Sequence, residues 1–348
     1  MTSRPQSAEN SGLNWQRHLA SSPVAVDAGV GVVAVATAEG EVVVLEIDTG
    51  RVLARTDLDD SLIGCALDPD GRRLAVSGSS GAWIWEFGFA DPHRIVEGQW
   101  CSVATWAHRD RLAVAAGRQV LVVDSTGGRV WESPSLTSTV SDVVWLGGWR
   151  RLAASTYGGV HVLEPRPSAL PKLLPFTGSL LTLAATPNGR WIVSGNQDAS
   201  LQVFRTDKDT RLEMQGYPSK IAHASFDASG RWLANDGAPE VSIWDFSGKG
   251  PRGRAPALCV SSASQCPPGL TDWPECFAWQ PTDAMLATGW RSGQVTVHRA
   301  ADGVPERALK PAIVVIECDA LVRDVSWTPD GSRFVAVAAS GQVVCLPW

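Results

Sequence analysis

"FDASGRWLANDGAPEVSIWDF", Phe226 to Phe246, and "WTPDGSRFVAVAASGQVVCLPW", Trp327 to Trp348, decide the fold. Each holds the end of an apolar strand, a polar turn with glycine, a second strand, another turn and a third, alternating strand. Alternation with a period of two is the mark of a strand whose two faces meet different surroundings. The pattern recurs along the chain. Taking Trp327 as a register mark, the last apolar residue before the first turn, the equivalents are Val26, Leu67, Trp106, Trp145, Ala185, Phe226 and Trp279. Successive spacings are 41, 39, 39, 40, 41, 53 and 48 residues. After each mark comes a turn such as DPDG, TPNG or DASG, then a small-apolar strand such as RLAVSG or RWIVSG, then an alternating strand such as EVVVLEI or AWIWEF.

Eight units of about 40 residues, with three or four strands in each, predict an all-β chain folded as a β-propeller of eight blades. Seven blades is the alternative, in which the divergent first unit, residues 23–58, is less than a full blade. The last unit stops after its third strand, so its outer strand must come from elsewhere. "NWQRHLA", Asn14 to Ala20, is the candidate. Supplied from the N-terminal side, it would pair both chain ends in one blade and protect that edge. Residues 1–13 are expected to be a disordered tail, and 14–348 a single propeller domain.

Composition narrows the function classes. Sixteen Trp against two Tyr, with 33 Gly and 22 Pro, suit many short strands held by heavy anchors. A net charge of −6 gives no bulk electrostatic case for nucleic acid. No apolar run reaches the ~18 residues of a membrane span, and the polar opening has no apolar signal core. Seven irregularly spaced cysteines suit a reducing compartment better than a disulfide framework. The expectation is a cytoplasmic monomer that engages neither nucleic acid nor membrane.

The units resemble WD40 repeats. Trp85-Glu86 and Trp244-Asp245 stand at the position of that family's WD dipeptide, and "SGNQDASLQVF", Ser194 to Phe204, resembles its second-to-third-strand hairpin with Asp198 in the turn. The resemblance runs from about Trp15 onward and implies the fold more than a function. The family's Gly-His dipeptide is missing from every unit, so its His–Asp hydrogen-bonded tetrads are not expected, and tryptophan packing would take their place. "WDFSGKGPRG", Trp244 to Gly253, resembles a segment of bacterial WD-repeat proteins that accompany metallochaperone GTPases of the CobW kind. That likeness implies such a GTPase as partner and a role in zinc handling.

Catalytic motifs are absent: there is no GxSxG, HExxH or P-loop. The two long spacings place extra chain in two inter-blade connections, roughly residues 247–273 and 300–321, read as loops. In or beside them lie Cys259, Cys266, Cys276 and Cys318. Three residues before the register marks, the last three units carry His223, Cys276 and Asp324, all zinc-ligand types. A zinc site at the channel mouth is therefore expected from these three with Cys318, Cys259 or Cys266. Against it stand the ordinary roles of such residues: a backbone-bonded Asp, a satisfied His, a buried Cys acting as a small hydrophobe.

The leading expectation is a non-enzymatic protein-interaction platform; a hydrolase-type enzyme with its site at the mouth is the alternative. Trp290, Arg291, Trp273, Trp100 and Tyr157 fall on the mouth side and are of the types enriched at interface hot spots. Trp290, after "ATG" in a hairpin turn, is expected to be exposed. The arginines of "GRR", Gly71–Arg73, and "WRR", Trp149–Arg151, offer an arginine-rich patch on the other face for acidic partners; spread over separate units of an acidic chain, they read first as solvated turn residues.

Overall fold

Pairing follows the sequence register. A computed structural model describes residues 13–348 apart from 109, 149, 209, 262–270, 301–308 and 311. In the second unit Leu62–Leu67 pairs antiparallel with Arg73–Gly78, that strand with Gly81–Glu86, and that with His93–Glu97. The first strands of successive units pack side by side around the ring, and Val322–Trp327 of the last lies against Pro23–Ala28 of the first. Both faces of each sheet therefore meet protein. This is why middle strands such as Arg73–Gly78 are buried almost throughout and carry Ala, Val and Ser: close-packed sheets leave little room for larger groups. Outer strands such as Val52–Asp57 are largely exposed.

The register marks lock neighbouring units. The indole N–H of Trp106 donates to the Ala66 carbonyl at 3.0 Å, and Trp145 to Thr105 at 3.0 Å. Trp279 donates to Ser225 and Trp327 to Ala278, both at 3.1 Å. In all four the acceptor is the residue just before the mark of the preceding unit. The indole buries a large apolar area and satisfies an inner-strand carbonyl with the same side chain.

The strands form seven hydrogen-bonded sheets, so the expectation of eight separate blades is corrected to the alternative number. The reason differs from the one expected. The first unit is a complete four-stranded sheet; units four and five are the ones that share a sheet, of six strands. Leu152–Leu163 covers the second and third strands of unit four without a full break, and Lys172–Ala185 runs from the outer strand of unit four into the first strand of unit five. Tyr157 pairs with Ser179 across the two. Where other units spend a polar loop, this junction turns at Gly158, Gly159 and Gly178, whose φ angles of 98°, 142° and 149° are open to glycine.

Trp15–His18 pairs with Gln342–Pro347, Trp15 opposite Cys345 and His18 opposite Gln342. The ring is thus closed by an N-terminal strand. Trp15 is buried and donates to the Ile47 carbonyl at 2.7 Å. Leu13, assigned by sequence to the tail, packs on the core between the last two units; the rest of the expected tail lies outside the described residues. No helix among the described residues is long and apolar enough to cross a membrane.

Candidate functional site

Each first strand ends its sheet, except in the fused pair, so one of its edges has backbone N–H groups with no strand partner. Three aspartates accept first-strand N–H groups across unit boundaries, one of them within the fused pair. Asp324 accepts from Val26 N–H at 2.9 Å, Asp27 from Leu67 N–H at 2.7 Å, and Asp142 from Leu183 N–H at 2.7 Å. Ser326 adds bonds to the Ala28 N–H and to Asp27 at the closing seam. Burial pushes Asp27 and Asp142 up to about 6 and Asp324 up to about 7, and the hydrogen bonds only partly offset it.

His223 stands on the same wall. Its side chain is 54% exposed, and Nδ1 lies 3.1 Å from Asp236 Oδ2. Asp236 also accepts from the backbone N–H groups of Ala222 and His223. Burial of the surroundings lowers the imidazole, but the bond to Asp236 and the charges of Asp236, Asp324 and Glu275 outweigh it and hold His223 above its ordinary value.

The expected zinc shell is not assembled. Among the described residues no group of three or more His, Cys, Asp or Glu side chains is placed to hold a metal. Both oxygens of Asp324 are taken by backbone N–H groups, those of Val26 and Val325. Cys276 is buried in the core between the last two units, its thiol pushed well above the ordinary range by burial and by Asp324. Cys318 packs on that same core, its thiol pushed up to about 12, chiefly by burial. Cys259 is fully buried within the strand Ala257–Cys259. The stretches read as loops therefore contain strands: Ala257–Cys259 and Val314–Glu317 are outer strands, and Leu309–Lys310 pairs parallel with the first of them. Cys266 lies outside the described residues.

The aromatic residues divide. Trp290, expected on the surface, is fully buried and donates to Thr296 Oγ1 at 2.8 Å. That expectation is corrected: the indole folds back over its own hairpin, where the hydroxyl takes its N–H. Arg291 is exposed but paired with Glu275. Trp273 is partly buried, its carbonyl accepting from Arg291 N–H at 3.0 Å. Trp100 and Tyr157 are 49% and 60% exposed.

Sequence reasoning missed two features. Asp27 lies one residue after its mark, outside the column that holds His223, Cys276 and Asp324; its only signal is a carboxylate inside the apolar strand Pro23–Ala28. Asp–Ser braces also join inter-blade connections to hairpins: Ser79 to Asp60 at 2.6 Å, Ser292 to Asp272 at 2.7 Å, and Ser340 to Asp319. The "WDFSGKGPRG" stretch has a structural account as well. Asp245 holds it through Arg231 and Arg254, and Gly250 lies against Trp191.

Closed ring, four-stranded units and inter-unit clasps together define a β-propeller. No protein-family model matches the chain. No curated protein matches it either. Among solved structures it is similar to the crystal structure of the computationally designed Ika8 protein. The TM-score is 0.74 at 15% identity, over 97% of this chain and 98% of that one. At that identity the likeness speaks for the fold alone.

Proposed function

We propose that this propeller is a non-enzymatic platform for protein partners, of the kind its WD40-like repeats suggest. The observation that carries the proposal is the framing of Trp100 and Tyr157. Gly117 N–H donates to the Trp100 carbonyl, Val140 N–H to the Gly117 carbonyl, and Tyr157 N–H to Ser138 Oγ. Two exposed aromatics from neighbouring units thus share one hydrogen-bonded frame. Rigid, exposed aromatic anchors are what interface hot spots are made of, because little side-chain entropy is lost when they are covered. The polar residues of the inner wall support the non-enzymatic side. Asp27, Asp142, Asp324 and His223 each make a hydrogen bond that holds neighbouring backbone or side chain in place. Zinc is not part of this proposal, since those of its expected donors that are described are dispersed among cores and clasps.

The test is co-purification from the native host with intact chain, Trp100→Ala and Tyr157→Ala. One protein should accompany the intact chain and be lost from both variants, each truncation weakening the complex by about 2 kcal/mol. A partner kept by the double variant would move the interface elsewhere.

A further inference from the structure

At the opposite ends of the strands, where the turns after the register marks lie, a cavity of about 580 Å³ opens between units three and four. Four arginines line it: Arg111, Arg150, Arg151 and Arg166. Glu164, paired with Arg166, is the one carboxylate among the described lining residues, which leaves three arginines in excess there in a chain of net charge −6; outside the lining, Asp124 is near enough to Arg111 for their charges to interact. Among the described residues no carboxylate pairs with Arg150 or Arg151, and the Arg111 guanidinium bonds only the neighbouring Asp110 carbonyl. The floor is apolar: Trp145 and Val122 are buried, and Val130 is 48% exposed on the outer strand Arg129–Glu132.

The equivalent groove between the last and first units shows that this is not a generic property of the ring. It is lined by Asp48, Asp330 and Arg333, with Arg333 paired to Asp48. Its charges cancel or turn negative, whereas those of the first groove accumulate. The sequence offers Arg150 and Arg151 either as solvated turn residues or as part of a basic patch; the fold brings Arg111 and Arg166 to them from two other turns.

We propose that the groove between units three and four binds an acidic peptide segment of a partner protein. Its carboxylates would meet the arginines, and an apolar side chain would cover Val130 and Trp145. Guanidinium forks suit carboxylates in paired hydrogen bonds. A small inorganic anion would leave the apolar floor uncovered and most of the cavity empty; a peptide offers both chemistries side by side. The inference rests on the platform proposal and names one class of partner for it.

The experiment uses the full-length purified chain and a fluorescein-labelled decapeptide of alternating glutamate and phenylalanine, read by anisotropy. A lysine-for-glutamate version is the control and pyrophosphate the competitor. Saturable binding of the acidic peptide alone is expected. It should weaken at least about tenfold in the Arg150→Glu/Arg151→Glu double variant, through loss of charge-assisted hydrogen bonds, and in Val130→Asp. Arg72→Glu, an exposed arginine on another unit, should leave it unchanged. Melting curves establish that each variant is folded, and Val130→Asp keeps the test open if the double variant is not. Equal binding of both peptides, no binding, or binding untouched by these variants would overturn the proposal. Displacement by pyrophosphate as effectively as by unlabelled peptide would also overturn it, in favour of a small-anion site. Since co-purification through Trp100 and Tyr157 is read separately, it can succeed while the groove fails.

Discussion

The carboxylate of Asp324 accepts the backbone N–H of Val26 at 2.9 Å, joining the last unit to the first across 298 residues of chain. Removing it leaves an inner-edge N–H without a protein acceptor at the seam on which closure depends. Asp324→Ala is expected to destabilise by about 1–3 kcal/mol, the cost of an unmade buried hydrogen bond. Asp324→Asn keeps an acceptor and should cost less. Thermal melting of the two variants against the parent gives the order; equal melting temperatures for all three would remove the seam role.

Stability should fall as pH rises from about 4 to 7. Asp27 and Asp142 are raised to about 6 and Asp324 to about 7, against roughly 3.9 for an unfolded aspartate. A group raised on folding stabilises fully below its unfolded value and loses that contribution as pH rises through its folded value. The window is therefore the climb from about 4 to 7. His223, also raised, acts with the same sign: its contribution is lost as pH rises through its folded value. Melting temperatures across this range should decline, and the Asp27→Asn/Asp142→Asn/Asp324→Asn variant should flatten the curve. A rising curve would contradict the burial of these carboxylates.

The tryptophan clasps allow a narrower test. Trp279→Phe keeps most of the apolar volume but deletes the 3.1 Å bond to the Ser225 carbonyl. A loss of about 1 kcal/mol is expected from the hydrogen bond, and about 3–5 kcal/mol for Trp279→Ala, where a cavity is added. Chemical denaturation of the pair separates the two parts.

Closure by the N-terminal strand predicts a phenotype for Trp15. Its indole is buried and bonded to the Ile47 carbonyl. Trp15→Ala should cost about 3–5 kcal/mol. Deleting residues 1–20 should expose the edge of Gln342–Pro347 and promote self-association. Light scattering at increasing concentration reads the second effect, and a monodisperse truncated protein would show that the edge is protected by other means.

The thiols should be inert in the folded state. Burial holds Cys276 far above the ordinary range and Cys318 up to about 12, and the thiolate is the reactive form. Alkylation with iodoacetamide at pH 7.5 should label both only after denaturation. Elemental analysis after zinc loading and desalting should find well under one zinc per chain. A full equivalent, lost in Cys276→Ala or His223→Ala, would restore the metal site.

Repeat length, strand order and the register marks were legible in the sequence because each unit is built from local alternation and turn chemistry. The tryptophan at the mark announced a packing role before any contact was visible. Chain closure was legible too, since a missing outer strand at one end matched a spare strand at the other. The sheet count was not. It depended on whether the Gly158–Gly159 and Gly178 junctions broke the strands around them, which is a matter of backbone pairing between Tyr157 and Ser179. The exposure of Trp290 was misjudged because a hairpin position fixes where the Cα lies and leaves the side chain free to fold back on Thr296.

By itself the sequence determined an all-β ring of repeats, since one unit cannot bury both of its own faces and neighbours in a closed array can. Only the tertiary structure decided what the scattered polar residues do. The carboxylates of Asp27, Asp142 and Asp324 became clasps for backbone N–H groups, Cys259, Cys276 and Cys318 became core, and arginines from separate turns converged on one groove. Each outcome depends on distances between residues remote in the chain, and a repeat pattern sets those distances only after the ring has closed.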